Sequence, residues 1–435
     1  MTDIRRTIDA VWRIESAKLI AVLTRMVRDV GLAEEFAQDA LVAALEHWPQ
    51  VGLPDEPAAW LMTVGKRRAL DHLRKQKLID RKHEELGREL EYEQQSMIDH
   101  DFDSALEQEI DERQTANIDD DLLRLVFIAC HPVLTSEAQV ALTLKLLGGL
   151  STDEISRAFL VSEPTIAQRI VRAKRILKEA QAPFELPHKE ELRSRLASVL
   201  AVLYLIFNEG YAATKGEDWM RPALCDEALR LGRILAELMP QEPEVHGLVA
   251  LMEIQASRFH ARTNAAGAPI LLMDQDRSRW DKLLIQRGLA ALKRVDTLGQ
   301  GYGPYALQAA IASCHARAYR AELTDWTRIS VLYDALAALA PSPIVELNRA
   351  VAVSMAFGPA QGLALVDELL HEPTLAKYHL LPSVRGDFLF KLGRFSEAQR
   401  EFERAATLTQ NTRERDFLLT RAHSCMDQHP VTLYS

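Results

Sequence analysis

Apolar residues recur at steps of three and four along almost the whole chain, as in Phe36, Ala40, Ala44 and Trp48. That spacing restricts the fold to helices packed on helices. Alternating runs rich in β-branched residues are scarce, so the chain is read as all-α. With 435 residues, 48% of them hydrophobic, there is material for two or three cores. No segment reaches the ~18 uninterrupted apolar residues of a membrane span, and Met1 is followed by Thr-Asp-Ile-Arg-Arg rather than an apolar leader. Cys130, Cys225, Cys314 and Cys425 are widely separated, with no metal-ligand spacing, and read as reduced, buried thiols of a cytoplasmic protein. No membrane contact and no metal are expected.

The net charge of −10 argues against a nucleic-acid binder until the charge is mapped. Cations concentrate at Lys66–Lys82 and Arg169–Lys178, while acids fill the stretch between, and phosphate contact depends on local charge. The expected organisation is a first helical unit over 1–80, an acidic linker over 81–120, a second small unit over 121–183, and a large helical unit over 184–435. The last carries a repeat: Gly386, Leu392, Gly393, Phe395, Ala398, Phe402 and Ala405 stand where a tetratricopeptide helix pair puts small and aromatic packing residues, and a weaker copy spans 344–370 with Gly358 at its turn. Stacked pairs of this kind form a solenoid.

Two motifs carry chemistry. In the first, a helix over 34–48 buries Phe36, Ala40, Ala44 and Trp48 and turns Glu35, Gln38, Asp39, Val42 and Glu46 outward. A proline-bounded loop from Pro49 to Pro57 follows, and then a helix opened by Pro57 with Trp60 as a core anchor. Its second half is basic: Lys66, Arg67, Arg68, Asp71, Arg74 and Lys75. Gly65 inside that helix costs about 1 kcal/mol relative to Ala. In the second, Ser151-Thr-Asp-Glu154 is a capping box that starts a short helix. A turn at Phe159-Leu160-Val161 leads to Ser162 as N-cap and Pro164 in the first turn of the next helix. There Ile166, Ile170 and Ala173 face inward, leaving Ser162, Thr165, Gln168, Arg169, Arg172, Lys174 and Arg175 for DNA. This is helix-turn-helix spacing.

The order of acidic helix, loop and basic helix resembles region 2 of bacterial RNA polymerase sigma factors of the extracytoplasmic-function type, and the helix-turn-helix resembles their region 4. The resemblance implies that Glu35, Gln38, Asp39, Val42 and Glu46 bind core RNA polymerase. It also implies that Gly52–Glu56 captures a flipped base, and that Lys66, Arg67, Arg68, Asp71, Arg74 and Lys75 meet the −10 element of promoter DNA. The second helix of region 4 would read the −35 element. Relatives commonly carry Gly where this chain has Leu160, and a left-handed residue there would cost about 1 kcal/mol. No cofactor is implied, since binding energy rather than nucleotide hydrolysis drives melting.

The repeat-bearing carboxy-terminal part resembles that of the sigma subgroup with a long tetratricopeptide-like extension, which implies a regulatory domain. Within it Asn208, Glu209 and Tyr211 end an apolar helix, and Asp276, Arg277 and Trp280 fall in a charged aromatic stretch. Both segments are richer in chemistry than a plain solenoid needs, and these six residues are candidates for an intramolecular or regulatory protein contact. An enzyme is not expected: HExxH, GxSxG, P-loop and dinucleotide turns are all missing. The alternative is a helix-turn-helix regulator fused to a protein-binding solenoid and independent of polymerase, which gives the order of elements over 34–75 no purpose.

Overall fold

The computed structural model describes residues 2–88, 118–159, 161–212, 220–264 and 269–427. Among them the regular structure is helical, apart from an isolated antiparallel bridge between Thr263 and Pro269. The chain forms two compact units, residues 1–202 and 203–435.

The first unit opens with a three-helix bundle, α1 (Thr2–Val27), α2 (Val30–Val51) and α3 (Pro57–Arg88). Its core is built from Ile8, Leu19, Ile20, Leu23, Phe36, Trp48, Leu61 and Ala69, the residues that the helical period places on facing stripes. Asp29 caps α2 by accepting from the Gly31 and Leu32 amides at 2.8 and 3.1 Å. The helix ends at Gly52, whose φ of +99° reverses the chain while its N–H bonds the Trp48 carbonyl at 2.9 Å. Gly65 lies where α3 crosses α1: a Cβ there would stand 2.9 Å from the Leu19 methyl and 3.2 Å from that of Leu23. Its cost to helix propensity is the condition for that crossing.

Helix α3 continues to Arg88, past the expected boundary at 80. Most of the expected acidic linker lies outside the described residues. Beyond it come α4 (Ile118–Ala129), α5 (Ser136–Leu146), α6 (Thr152–Phe159) and α7 (Glu163–Glu179), centred on Leu125, Phe127, Leu142, Leu144, Ile155, Ile166, Ile170 and Leu177.

Helix α8 (Lys189–Tyr211) contributes to both units. In the second unit α9 (Pro222–Leu238), α10 (Pro243–Ala256), α11 (Lys282–Leu298), α12 (Pro304–Arg317), α13 (Trp326–Leu339), α14 (Pro343–Phe357), α15 (Pro359–Glu368), α16 (Leu380–Lys391), α17 (Phe395–Leu408) and α18 (Thr412–Asp427) pack mainly on their sequence neighbours. Small residues set the spacing: a Cβ on Gly247 would lie 2.6 Å from the Ala306 backbone nitrogen, and one on Gly386 would lie 3.0 Å from the Phe402 ring. Ala398, Phe402 and Ala405 are buried in the α16/α17 pair. Gly393 makes the turn between those helices with φ +75° and Gly358 the turn between α14 and α15 with φ +111°.

Candidate nucleic-acid interface

The outer face of α2 is acidic and apolar together. Glu35, Gln38, Asp39, Val42 and Glu46 are all exposed, Val42 at 51%, while the stripe from Phe36 to Trp48 behind them is buried. Gln38 donates back to Glu34 at 2.6 Å. The loop 52–56 is mostly exposed and leads into α3. Trp60 is half-buried: it meets the edge of fully buried Trp48 at 5.3 Å between ring centroids and stacks on His47 at 6.0 Å. Trp48 is therefore the deeper anchor, with Trp60 bracing the loop against it. Further along α3, Arg67, Arg68, Asp71, Arg74 and Lys75 are exposed and Lys66 is half-buried. Arg74 approaches Asp71 at 3.9 Å, an exposed pair worth a few tenths of a kcal/mol at most.

The capping box of the helix-turn-helix is present in both directions. The Glu154 amide donates to Ser151 Oγ at 3.1 Å, and the Ser151 amide donates to Glu154 Oε2 at 2.8 Å. Glu154 also pairs with Arg13. Burial pushes the Glu154 carboxyl up, but the Ser151 amide and Arg13 more than offset it, and the group is held below its ordinary value. Leu160 lies outside the described residues. Ser162 has the extended backbone of an N-cap, yet its hydroxyl bonds the Thr165 hydroxyl at 2.7 Å instead of a backbone amide.

Helix α7 presents two different polar faces. Thr165, Gln168, Arg172 and Arg175 are exposed along one stripe, Arg169 is half-buried beside them, and Ile166, Ile170, Ala173 and Leu177 fill the core. Polar groups of this kind near the helix start are those that reach base edges in the major groove. Lys174 and Lys178 turn instead toward α2. Lys174 pairs with Glu34, which is only 3% exposed and also lies 3.7 Å from Lys145. Lys178 pairs with Asp29 at 2.8 Å. Burial alone would raise the Asp29 carboxyl; Lys178 and the Gly31 and Leu32 amides hold it below its ordinary value. A second ion-pair centre joins α1 to α4, where fully buried Asp121 meets Arg25 at 3.0 Å and Arg124 at 2.9 Å. Burial holds the Asp121 carboxyl above its ordinary value despite both guanidiniums.

Sequence reasoning did not single out Asp29, Glu34, Lys145 or Asp121. One signal was available for Glu34: on the helical wheel it lies beside Ala33, Ala37 and Ala40, at the edge of the buried stripe.

In the second unit the flagged residues serve their own packing. Glu209 pairs with Arg221. Tyr211 stacks on Phe207 at 5.6 Å and carries the Arg262 guanidinium 3.5 Å above its ring. Arg277 donates to the His315 and Ala318 carbonyls at 2.8 and 2.7 Å and to Thr324 Oγ1 at 2.9 Å. Trp280 is buried with Arg277 5.1 Å and Arg258 5.7 Å from its ring centre. Asp276 is exposed and caps its own turn through Ser278. Asn208 is half-buried near the end of α8. Tyr211, Arg277 and Trp280 thus belong to one ladder of guanidiniums and rings, with Asn208, Glu209 and Asp276 near its ends.

Comparison with known proteins places family matches on the same segments. The sigma-70 region 2 family matches residues 13–79, and the sigma-70 region 4 family matches residues 124–177. A family of unknown function, DUF6596, matches residues 195–296, which contain both chemistry-rich segments noted above. An uncharacterized protein of Rhizobium meliloti (strain 1021) is 43% identical over 399 residues, covering 92% of this chain and 91% of the relative. A probable ECF RNA polymerase sigma factor SigI of Mycobacterium tuberculosis (strain CDC 1551 / Oshkosh) is 27% identical, covering 40% of this chain and 55% of the relative. The ECF RNA polymerase sigma factor SigK of Mycobacterium sp. (strain KMS) is 27% identical, covering 35% of this chain and 72% of the relative. Among the described residues no helix is long and apolar enough to cross a membrane.

Proposed function

The chain belongs to the extracytoplasmic-function group of the sigma-70 family and carries a carboxy-terminal extension, and from that membership we propose how its surfaces divide the work of starting transcription. The outer face of α2, with Glu35, Gln38, Asp39, Val42 and Glu46, docks on core RNA polymerase. The loop 52–56 holds an extruded base of the −10 element, and Lys66, Arg67, Arg68, Arg74 and Lys75 neutralise the phosphates around it. Thr165, Gln168, Arg169, Arg172 and Arg175 read the −35 element. Residues 1–80 and 121–183 act as the two promoter-reading bodies, and residues 184–435 modulate them through a helical-repeat surface.

One observation carries this reading. An exposed acidic face, an exposed loop and an exposed basic helix stand in succession on a single bundle, and an isolated helix-turn-helix regulator has no use for that sequence of surfaces. The test is run-off transcription with bacterial core polymerase from the promoter upstream of the chain's own gene. Full-length chain is expected to support initiation; a chain with Asp39→Lys and Glu46→Lys is expected to lose core binding and transcription together. Unchanged core binding by that variant would remove the role given to α2. Absence of core binding by the native chain would favour a plain regulator.

A further inference from the structure

A notch of about 490 Å³ opens in the second unit where α11, α12 and α13 meet. Helical spacing brings each wall to it: Leu289, Lys293 and Asp296 stand four and three residues apart on α11, and Ala310, Ser313 and Arg317 three and four apart on α12. Arg328 closes the third side from the first turn of α13. Small side chains keep the space open. Ala310 and Ser313 are buried at its floor, and the Ser313 hydroxyl donates to the Ala310 carbonyl at 2.7 Å, turning into its own helix. Buried Leu292 and half-buried Leu289 make the α11 side of that floor apolar.

The charge around the notch is one-sided. Lys293, Arg317 and Arg328 are exposed, and among the described residues none of the three has a carboxylate partner. Asp296, the acid in the lining, takes the Tyr302 hydroxyl instead, which donates to it at 2.6 Å. Arg317 and Arg328 both lie close enough to Tyr302 to favour its ionised form, so the two guanidiniums converge. Elsewhere on this unit guanidiniums find acids: Arg349 bonds Glu346 at 2.7 Å and Arg385 bonds Glu401 at 2.8 Å. Three cations gathered over an apolar floor without such acids repel one another and focus a positive potential on the space between them.

Size and charge together select the occupant. A bounded cavity of this volume suits a small molecule rather than an extended peptide. Planar guanidinium forks match phosphate oxygens two at a time. A phosphate monoester carries about −1.5 to −2 near neutral pH, so it answers more than one cation, where a lone carboxylate answers one. We propose that the notch binds a small organic phosphate, with the phosphoryl group held by Lys293, Arg317 and Arg328 and the organic part against Leu289 and Leu292. Such a site needs only the fold of the second unit and stands whether or not the sigma reading holds.

Isothermal titration calorimetry of the full chain with phenyl phosphate tests it. Phenyl phosphate is expected to bind, inorganic phosphate to bind about five-fold more weakly for want of the apolar contact, and phenol to give no heat. Arg317→Gln and Arg328→Gln change exposed side chains and should leave the fold intact, and each is expected to weaken phenyl phosphate about ten-fold. Arg287→Gln removes an exposed cation of α11 outside the lining and is expected to change nothing. Equal losses from Arg287→Gln and Arg317→Gln would reduce the effect to diffuse surface attraction and overturn the site. Benzoate binding as tightly as phenyl phosphate would overturn the choice of phosphate. Absence of phenyl phosphate binding would overturn the proposal, and a hexaglutamate peptide binding in its place would give the notch to an acidic protein partner.

Discussion

His315 shows how one buried side chain ties stability to pH. It is 7% exposed, sits edge-on to Trp326 at 5.0 Å, and has the Arg277 guanidinium on its own carbonyl. Burial first, then the charges of Arg258 and Arg277, push the imidazole from 6.5 down to about 3. The folded chain therefore holds the ring neutral where the unfolded chain protonates it. The stabilisation is fully present above pH 6.5 and is lost as pH falls from there toward 3. Between pH 7 and pH 5 the loss should be about 2 kcal/mol, at up to 1.36 kcal/mol per pH unit. Urea unfolding at both pH values measures it, and His315→Gln should remove most of the difference. None of this was legible in the sequence, since the two arginines that matter lie 57 and 38 residues before His315 in the chain and meet it only in the fold.

At the scale of the element, α6 and α7 separate what the sequence can specify from what it cannot. The capping box, the proline start and the buried triplet of Ile166, Ile170 and Ala173 are local, and the structure keeps each of them. Ser151→Ala should cost about 1 kcal/mol, read as a lower unfolding midpoint of the first unit. The division of α7's cations into two faces is not local. Lys174 follows Arg172 by two residues, yet one meets Glu34 and the other meets solvent, and no periodicity announces a carboxylate 140 residues away. Arg172→Ala should lower promoter affinity in the polymerase complex and reduce the slope of log affinity against log salt by about one. Fluorescence anisotropy across a salt series checks this; an unchanged slope would take Arg172 off the phosphate path.

Over the whole molecule, helicity and the order of the promoter-reading motifs were legible because both depend on spacing within a few turns. The boundary between the compact units depends on which helices touch. Arg195 of α8 donates to the Phe127 carbonyl at 3.1 Å, tying α8 to the end of α4, and the first unit runs to Val202. A chain ended at 183 should therefore unfold at lower urea than one ended at 202, by about 1–3 kcal/mol for the lost charged hydrogen bond and its buried acceptor. Equal midpoints would show that α8 contributes nothing to the first unit.

Cys130, Cys225, Cys314 and Cys425 are all buried, and all four thiols are pushed above their ordinary value by burial, Cys130 to about 12. Cys225 and Cys314 lie within α9 and α12, Cys425 lies near the end of α18, and Cys130 follows α4. The native chain thus carries its own reporters of opening. A thiol reagent added to the folded protein should find almost nothing to modify, and each cysteine should react only when the helices around it come apart, so the order of labelling would trace the order in which the molecule yields.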